Sequence, residues 1–398
     1  VARADLTDKT IKIRFDLPDP LNPRSILLLF AATHHFHRGN IMTAHRPRIL
    51  LAFNRHVREH YLDHSDLERL HALANWDWFE CEGGGIYSSN DDPAATAALI
   101  ERIGAYDGVI VCHGAPTLTT QVLDAAPNLR FIGELEGDRF ATRIDLDAAW
   151  ARHIRTVDTT NASSYPVAEW ALGLILVCMR NAGEHFRRIT AGNTRITPEA
   201  RDRMPGRLTG KRVGLIGGGH MGRRLIKLLR PFDVDIWVHD PYLPRELPEA
   251  LGFTATSLEN VLSQCDVIVC LVPLTPQTTG MLGEREIEMI RSGAVFVNVS
   301  RGAVVDSTAL VARLRRGDIL AGLDVFDPEP IPADSDIIHL PNVFLSPHIG
   351  YYTGDQHPHF FQLMVDEVER FFHGHETYYD LTPRSKANRG NLRLTIDD

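Results

Sequence analysis

From Arg48 onward, short apolar runs alternate with stretches in which apolar residues recur every three or four positions. RILLAF (48–53), DGVIVCHG (107–114) and RFIGELEG (130–137) read as strands, the last running into a loop. EHYLDHSDLERLHAL (59–73), with Tyr61, Leu67, Leu70 and Leu73 at helical spacing, reads as one helix; PAATAALIERIGAY (93–106) and QVLDAAPNL (121–129) read as two more. Trp76 and Trp78 alternate like a strand pair and are expected to pack in the core. A second alternating unit opens with a long apolar helix, 165–181. It continues through the strands CDVIVCLV (265–272), AVFVNVS (294–300), ILAGLDVF (319–326) and NVFLSPHIG (342–350). HPHFFQLMVDEVERFF (357–372) is a late amphipathic helix, and the polar stretch from Gly374 is expected to be loose or to wrap the surface. This alternation predicts an α/β protein of two doubly wound, mostly parallel (Rossmann-like) sheets.

The sharpest motif is VGLIGGGHMGRRLIKLLRPFDVDIWVHD, Val213 to Asp240. An apolar strand turns through Gly217-x-Gly219-x-x-Gly222 into a helical segment, and a second strand ends on Asp240. Gly217 permits the tight turn, Gly219 lets backbone approach a pyrophosphate, and Gly222 lets helix and strand pack closely. A carboxylate at Asp240 accepts hydrogen bonds from a ribose 2′-OH and repels a 2′-phosphate, which favours NAD over NADP.

Charge and cysteines narrow the class. A net charge of −9 argues against a nucleic-acid surface. Cys81, Cys112, Cys178, Cys265 and Cys270 form no CxxC pair, as expected in a reducing cytoplasm. VAEWALGLILVCM (167–179) carries Glu169 and reads as a buried helix too short to span a membrane. SILLLFAATHHF (25–36) lacks the flanks of a cleavable signal. Residues 1–41 are Pro- and His-rich and precede Met42, the first methionine. The fold is expected to begin near Arg48, with 1–45 a loose extension or an artefact of start-site assignment.

Three ionisable residues each follow a strand, where ligands collect in open parallel sheets: Arg301, Glu329 and His348. These types suit hydride transfer to a 2-oxo acid. An imidazolium donates a proton to the carbonyl oxygen, a carboxylate favours and orients the charged ring, and a guanidinium grips the substrate carboxylate.

With the glycine loop, LVPLTPQTTGML, NVSRGAVVDSTAL, AGLDVFDPEP and SPHIG in this order, the chain resembles the D-isomer-specific 2-hydroxyacid dehydrogenases (phosphoglycerate dehydrogenase and glyoxylate reductase-like) from about Gly108 to Tyr352. The resemblance implies that Arg301 binds substrate, Glu329 supports His348, and His348 is the acid/base. It implies a cofactor site of Gly217, Gly219, His220, Met221, Gly222, Asp240, Pro273, Thr278, Val299, Ser300, Asp324, His348 and Gly350, with Asp324 at the nicotinamide carboxamide. It further implies a substrate domain over 46–155 completed by 348–375, an NAD domain over 156–347 with the active site in the cleft between the two domains, a C-terminal tail over 376–398, and a homodimer built on the NAD domain. No metal, nucleic-acid or membrane partner is expected.

Two departures leave the substrate open. Cys112-His113 stands where phosphoglycerate-type members carry Arg-Ser, and GELEGDRFATRID (133–145) replaces a glycine-rich loop whose backbone N–H groups hold the substrate carboxylate. Glu134, Glu136 and Asp138 would oppose an anion, with Arg139 as compensation; His113, Gly114 and Arg139 are the further substrate-binding candidates. Two other readings stand beside the dehydrogenase: an NAD(H)-sensing, corepressor-like binding protein of the same fold, and a dehydrogenase of a non-standard small anion. His56, His60 and His64 share a predicted helix face at zinc-compatible spacing, but a solvated face is the favoured reading.

Overall fold

The computed structural model describes residues 46–84, 90–137, 143–354 and 359–389. The expectations for the N-terminal extension, for Asp138 and Arg139, and for the last residues of the tail lie outside these. Among these residues twelve strands form two sheets, parallel throughout. The first contains β1 (Arg48–Phe53), β2 (Asn75–Glu80), β3 (Gly108–Val111), β4 (Phe131–Glu134) and β5 (Arg155–Asp158), in the order β2-β1-β3-β4-β5. The second contains β6 (Arg212–Ile216), β7 (Asp235–His239), β8 (Thr254–Ala255), β9 (Val267–Cys270), β10 (Val295–Asn298), β11 (Leu320–Leu323) and β12 (Val343–Leu345). Its order is β12-β11-β10-β9-β6-β7-β8, so the winding direction reverses between β6 and β9. In such sheets the crevice at the carboxyl ends beside the reversal is where ligands bind.

The apolar runs follow from helices covering both faces. Every residue of β3, β4, β9, β10 and β11 is buried, so these strands show no polar alternation. The helix Phe360–Phe372 packs Phe360, Phe361, Met364 and Val368 against Ile49, Leu51, Phe53 and Phe131 of the first sheet. The helix Ser164–Met179 packs Ala168, Ala171, Leu174 and Ile175 into the core of the second.

Several local expectations are corrected. The predicted helix over 59–73 is two helices, Arg55–His60 and His64–Leu73, because Asp63 caps the second by accepting from Ser65 N at 2.8 Å. The break also separates His64 from His56 and His60, so the three share no helix face. Trp76 and Trp78 do sit on a strand and pack against the core as expected, but only half-buried because the strand is at the sheet edge; Trp78 Nε1 donates to Phe53 O at 3.1 Å and Arg58 stacks 3.9 Å over its ring. The long apolar helix runs Ser164–Met179, two residues short of its expected end; together with the 3-10 turn Thr160–Ser163 that leads into it, Thr160–Met179 is long and apolar enough to cross a membrane by length and composition. Only 44% of that apolar window is buried. The start of the C-terminal stretch wraps the surface. Tyr378 and Tyr379 N–H donate to Glu367 Oε2 at 2.7 and 3.0 Å, and Leu381 N donates to Thr156 O at 2.9 Å before the helix Pro383–Arg389.

Candidate active site

The glycine loop leaves β6 at Ile216 and turns at Gly217, whose φ of +105° is open to glycine and strained for other residues. A side chain at Gly222 would place its Cβ 2.5 Å from Gly217 O, so this glycine sets the close approach of helix to loop. At Gly219, by contrast, nothing lies within 4 Å of an added Cβ, and the helix His220–Leu229 starts immediately after it. Asp240, past β7, accepts from Gly218 N (3.0 Å) and Tyr242 N (2.9 Å), one bond on each carboxylate oxygen.

These elements border a cavity of about 460 Å³ lined by Gly217, Gly219, His220, Met221, Asp240, Pro273 and Thr278. The residues present fit a dinucleotide: an open glycine backbone at a ten-residue helix's start for the pyrophosphate, and a carboxylate at the end of the next strand for the ribose. The sequence reading missed the opposite wall. Thr382, Arg384 and Ser385 reach the same cavity from the C-terminal segment, and the Arg384 guanidinium lies 4.0 Å over the Tyr242 ring.

Met221, Leu271, Val272 and Pro273 are shared with a second cavity of about 340 Å³. Arg301, Glu329 and His348 all line it, with Val299, Ser300 and Asp324. Arg301 follows β10, where its Nη1 donates to Ser300 O at 2.8 Å and its own carbonyl accepts from Asn298 Nδ2 at 3.1 Å. His348 Nδ1 lies 2.5 Å from Glu329 Oε1, and Phe326 N donates to the other Glu329 oxygen at 3.3 Å. Burial alone would raise the Glu329 pKa. The hydrogen bond and charge of His348, the Phe326 N–H and the Arg301 charge outweigh it and hold the carboxyl below its ordinary value. With Nδ1 turned to Glu329, Nε2 is the ring atom left to meet a substrate.

Residues 172–350 match the family model "D-isomer specific 2-hydroxyacid dehydrogenase, NAD binding domain". The mitochondrial formate dehydrogenase of Hordeum vulgare is 30% identical over 311 residues, covering 77% of this chain and 81% of that protein. The chain belongs to the D-isomer-specific 2-hydroxyacid dehydrogenase family. The D-3-phosphoglycerate dehydrogenase of Methanocaldococcus jannaschii is 32% identical over 279 residues, 69% of this chain, and the match spans about half of that relative (52%). Among solved structures, a phosphoglycerate oxidoreductase from Rhizobium etli superposes with a TM-score of 0.71 at 25% identity, over 84% of this chain and 97% of that one. The cofactor of the matched domain is NAD.

Within this family frame, four further candidates among the described residues line neither cavity. Gly222 and Gly350 sit behind them; a Cβ at Gly350 would lie 2.8 Å from Asp324 Oδ2. His113 and Gly114 are buried; neither lines the second cavity, and His113 Nε2 lies 3.1 Å from Glu136, which does. Arg139 lies outside the described residues. The acids of the 133–145 loop do not simply repel an anion. Glu134 Oε1 accepts from Arg143 Nη1 at 2.7 Å, with both side chains fully buried, so Arg143 supplies a compensation the sequence reading gave to Arg139. Glu136, not named as a site residue from sequence, lines the substrate cavity together with Thr160, Ser163, Tyr351 and Tyr352. Among the described residues no group of three or more His, Cys, Asp or Glu side chains is placed to hold a metal ion.

Proposed function

We propose that this protein is an NAD-dependent oxidoreductase that interconverts a D-2-hydroxy acid and its 2-oxo acid. One observation carries the reading: the Glu329–His348 pair, at 2.5 Å, shares a cavity with Arg301, and that cavity opens onto the glycine-loop site. Bound NAD supplies a hydride acceptor, or as NADH a donor. In the reducing direction, protonated His348 gives a proton from Nε2 to the substrate carbonyl oxygen as negative charge develops there. Glu329 stabilises the charged ring through Nδ1 and fixes its orientation. Arg301 takes the substrate carboxylate by paired hydrogen bonds. The D configuration rests on family membership.

The domain division that supports this puts the first sheet and the helix Phe360–Phe372 in a substrate domain (46–155 with 348–375) and the second sheet's strands in the cofactor domain (156–347). A homodimer through the cofactor domain is supported by exposed apolar residues on its helices. Phe186 is 70% and Ile189 59% exposed, and Tyr165 and Leu176 stand out from the long helix. The five cysteines, all free and buried, support a reducing cytoplasmic location.

The test is turnover of NADH with a panel of 2-oxo acids. His348→Gln should lower kcat by roughly 10²- to 10⁴-fold while NADH affinity, read by fluorescence titration, stays within about two-fold. Tight NADH binding by the unmodified protein with no turnover of any acid would refute the enzymatic reading in favour of a nucleotide sensor.

A further inference from the structure

The C-terminal segment runs from the first sheet to the cofactor cavity of the second. Asp380 bridges Val157 of β5 in antiparallel register, with Asp158 N donating to Tyr379 O at 3.0 Å and Leu381 N to Thr156 O at 2.9 Å. Arg155 Nη1 donates to Asp380 Oδ2 at 3.0 Å. Tyr379 then meets His220, the first residue of the glycine-loop helix, with 5.9 Å between ring centroids. Past Leu381, Thr382 N donates to Ser385 Oγ at 3.1 Å and Ser385 N to Thr382 Oγ1 at 3.3 Å, a reciprocal pairing that opens the helix Pro383–Arg389. Lys386 forms an ion pair with Asp147, on the helix Leu146–Ala151 before β5. Side chains at 382–385 are therefore presented to the cavity by elements of the first sheet.

Arg384 differs from the basic residues around it. Arg155 and Lys386 are paired with acids. Among the described residues no acid pairs with Arg384; its guanidinium instead lies 4.0 Å from the centroid of the Tyr242 ring, which is 64% exposed. Tyr242 stands two residues past Asp240, and its N–H donates to Asp240 Oδ1 at 2.9 Å. Both Arg384 and Tyr242 line the cavity of about 460 Å³. An unpaired guanidinium thus stands near the carboxylate that fits a ribose. Its flat face can stack on a purine, its in-plane N–H groups can donate to ribose or phosphate oxygens, and its charge complements a dinucleotide's diphosphate.

Resting on the NAD-dependent reading above, we propose that Arg384 is a cofactor-binding residue that, seated on Tyr242, closes the adenosine end of the dinucleotide site. Every cofactor residue expected from the sequence lies between Gly217 and Gly350; Arg384 adds one from a segment hydrogen-bonded to the first sheet. The adenosine half of the cofactor is then held from both sides, by the glycine loop and Asp240 on one and by the C-terminal segment on the other.

The experiment compares the unmodified full chain with Arg384→Ala, using fluorescence titration for NADH and calorimetry for ADP-ribose. The two ligands share the adenosine diphosphate half, so both dissociation constants should rise by about ten-fold. A loss for NADH alone places the contact at the nicotinamide end, and a change below about two-fold in both removes it; either overturns the proposal. In the unmodified protein, saturating ADP-ribose should slow amide hydrogen exchange over residues 382–386, and unchanged exchange overturns the proposal as well. That measurement decides alone if Arg384→Ala does not fold. These are binding readouts, so their failure leaves the dehydrogenase reading intact, and absence of turnover with NADH bound leaves the Arg384 assignment intact. An unmodified protein that binds neither NADH nor ADP-ribose overturns both.

Discussion

The Arg143–Glu134 pair allows a quantitative test of how the unusual loop is held. Both side chains are 0% exposed, the Nη1–Oε1 distance is 2.7 Å, and Nη1 also donates to Glu136 O at 3.2 Å. Burial opposes the arginine's charge, but Glu134 more than restores it, so the guanidinium pKa stays raised. Arg143→Met removes one charge and strands the other. An uncompensated buried carboxylate costs roughly 3–5 kcal/mol. At about 2 °C or more per kcal/mol for a domain of this size, the melting temperature should fall by roughly 6–15 °C. Glu134→Leu should cost a similar amount, because it leaves the guanidinium buried. The double variant Glu134→Leu/Arg143→Met should recover most of the loss, since replacing both members of a buried pair with apolar groups is often neutral or stabilising. Recovery should be incomplete, because the bond to Glu136 O is still missing. Urea and thermal melts of the four proteins give the cycle directly. A single-variant cost below about 1 kcal/mol, or a double variant as unstable as the sum of the singles, would refute the argument.

Three further outcomes are expected. Asp240→Ser should relax the preference for NADH over NADPH by at least about ten-fold in the ratio of kcat/KM, read by steady-state kinetics; an unchanged ratio would show that another group sets it. The His113 pKa is raised from 6.5 to about 9, so its stabilising contribution is complete below about pH 6.5 and disappears as pH rises through 9. The stability gap between the unmodified protein and His113→Gln in urea melts should therefore shrink over that window, and a gap that stays flat counts against the assignment. Phe186→Glu combined with Ile189→Lys should convert the proposed dimer to monomer in sedimentation velocity without loss of secondary structure; a dimer that persists places the interface elsewhere.

Much of the fold was legible because a sheet covered on both faces writes its strands as continuous apolar runs. AVFVNVS and CDVIVCLV are plain for that reason. Arg301, Glu329 and His348, which line one cavity, could be picked out because each follows such a run within a few residues, past the end of a parallel strand where ligands gather. What failed were features decided by competition between signals. Asp63 is a helix cap embedded in a helix-like pattern, and apolar periodicity concealed it. Trp76 and Trp78 do pack against the core from a strand, but at the sheet edge, a position that their own alternation does not encode. The setting of Glu136 is made by Tyr61, 75 residues earlier, and by His113. An acid in a loop reads as repulsive until its distant partners are known. The wall made by Thr382, Arg384 and Ser385 was hidden in the same way, by a polar stretch with no periodicity of its own.

The order of the sheet explains why so few residues suffice to build the site. β10, β11 and β12 are spatial neighbours, and their carboxyl ends lead in turn to Arg301, to Asp324 and Glu329, and to His348. Asp324 links the last two. It is 1% exposed, and four donors converge on its carboxylate: Trp170 Nε1 at 3.1 Å, Ser346 Oγ at 2.5 Å, Ile349 N at 3.1 Å and Gly350 N at 2.9 Å. Its backbone carbonyl accepts from His348 N at 2.8 Å. These bonds compensate the burial of a charged group and fix the SPHIG turn on both sides of His348. The turn needs fixing, because His348 has a φ of +51°, a left-handed conformation that costs a non-glycine residue roughly 1–2 kcal/mol. Without Asp324 the imidazole could relax out of this conformation and away from Glu329. The implied contact of Asp324 with the nicotinamide carboxamide would therefore be secondary to this task. Its hydrogen-bonding capacity is largely directed at the chain, which supports a positioning role: Asp324 holds the turn, the turn holds the ring, and Glu329 sets the ring's orientation.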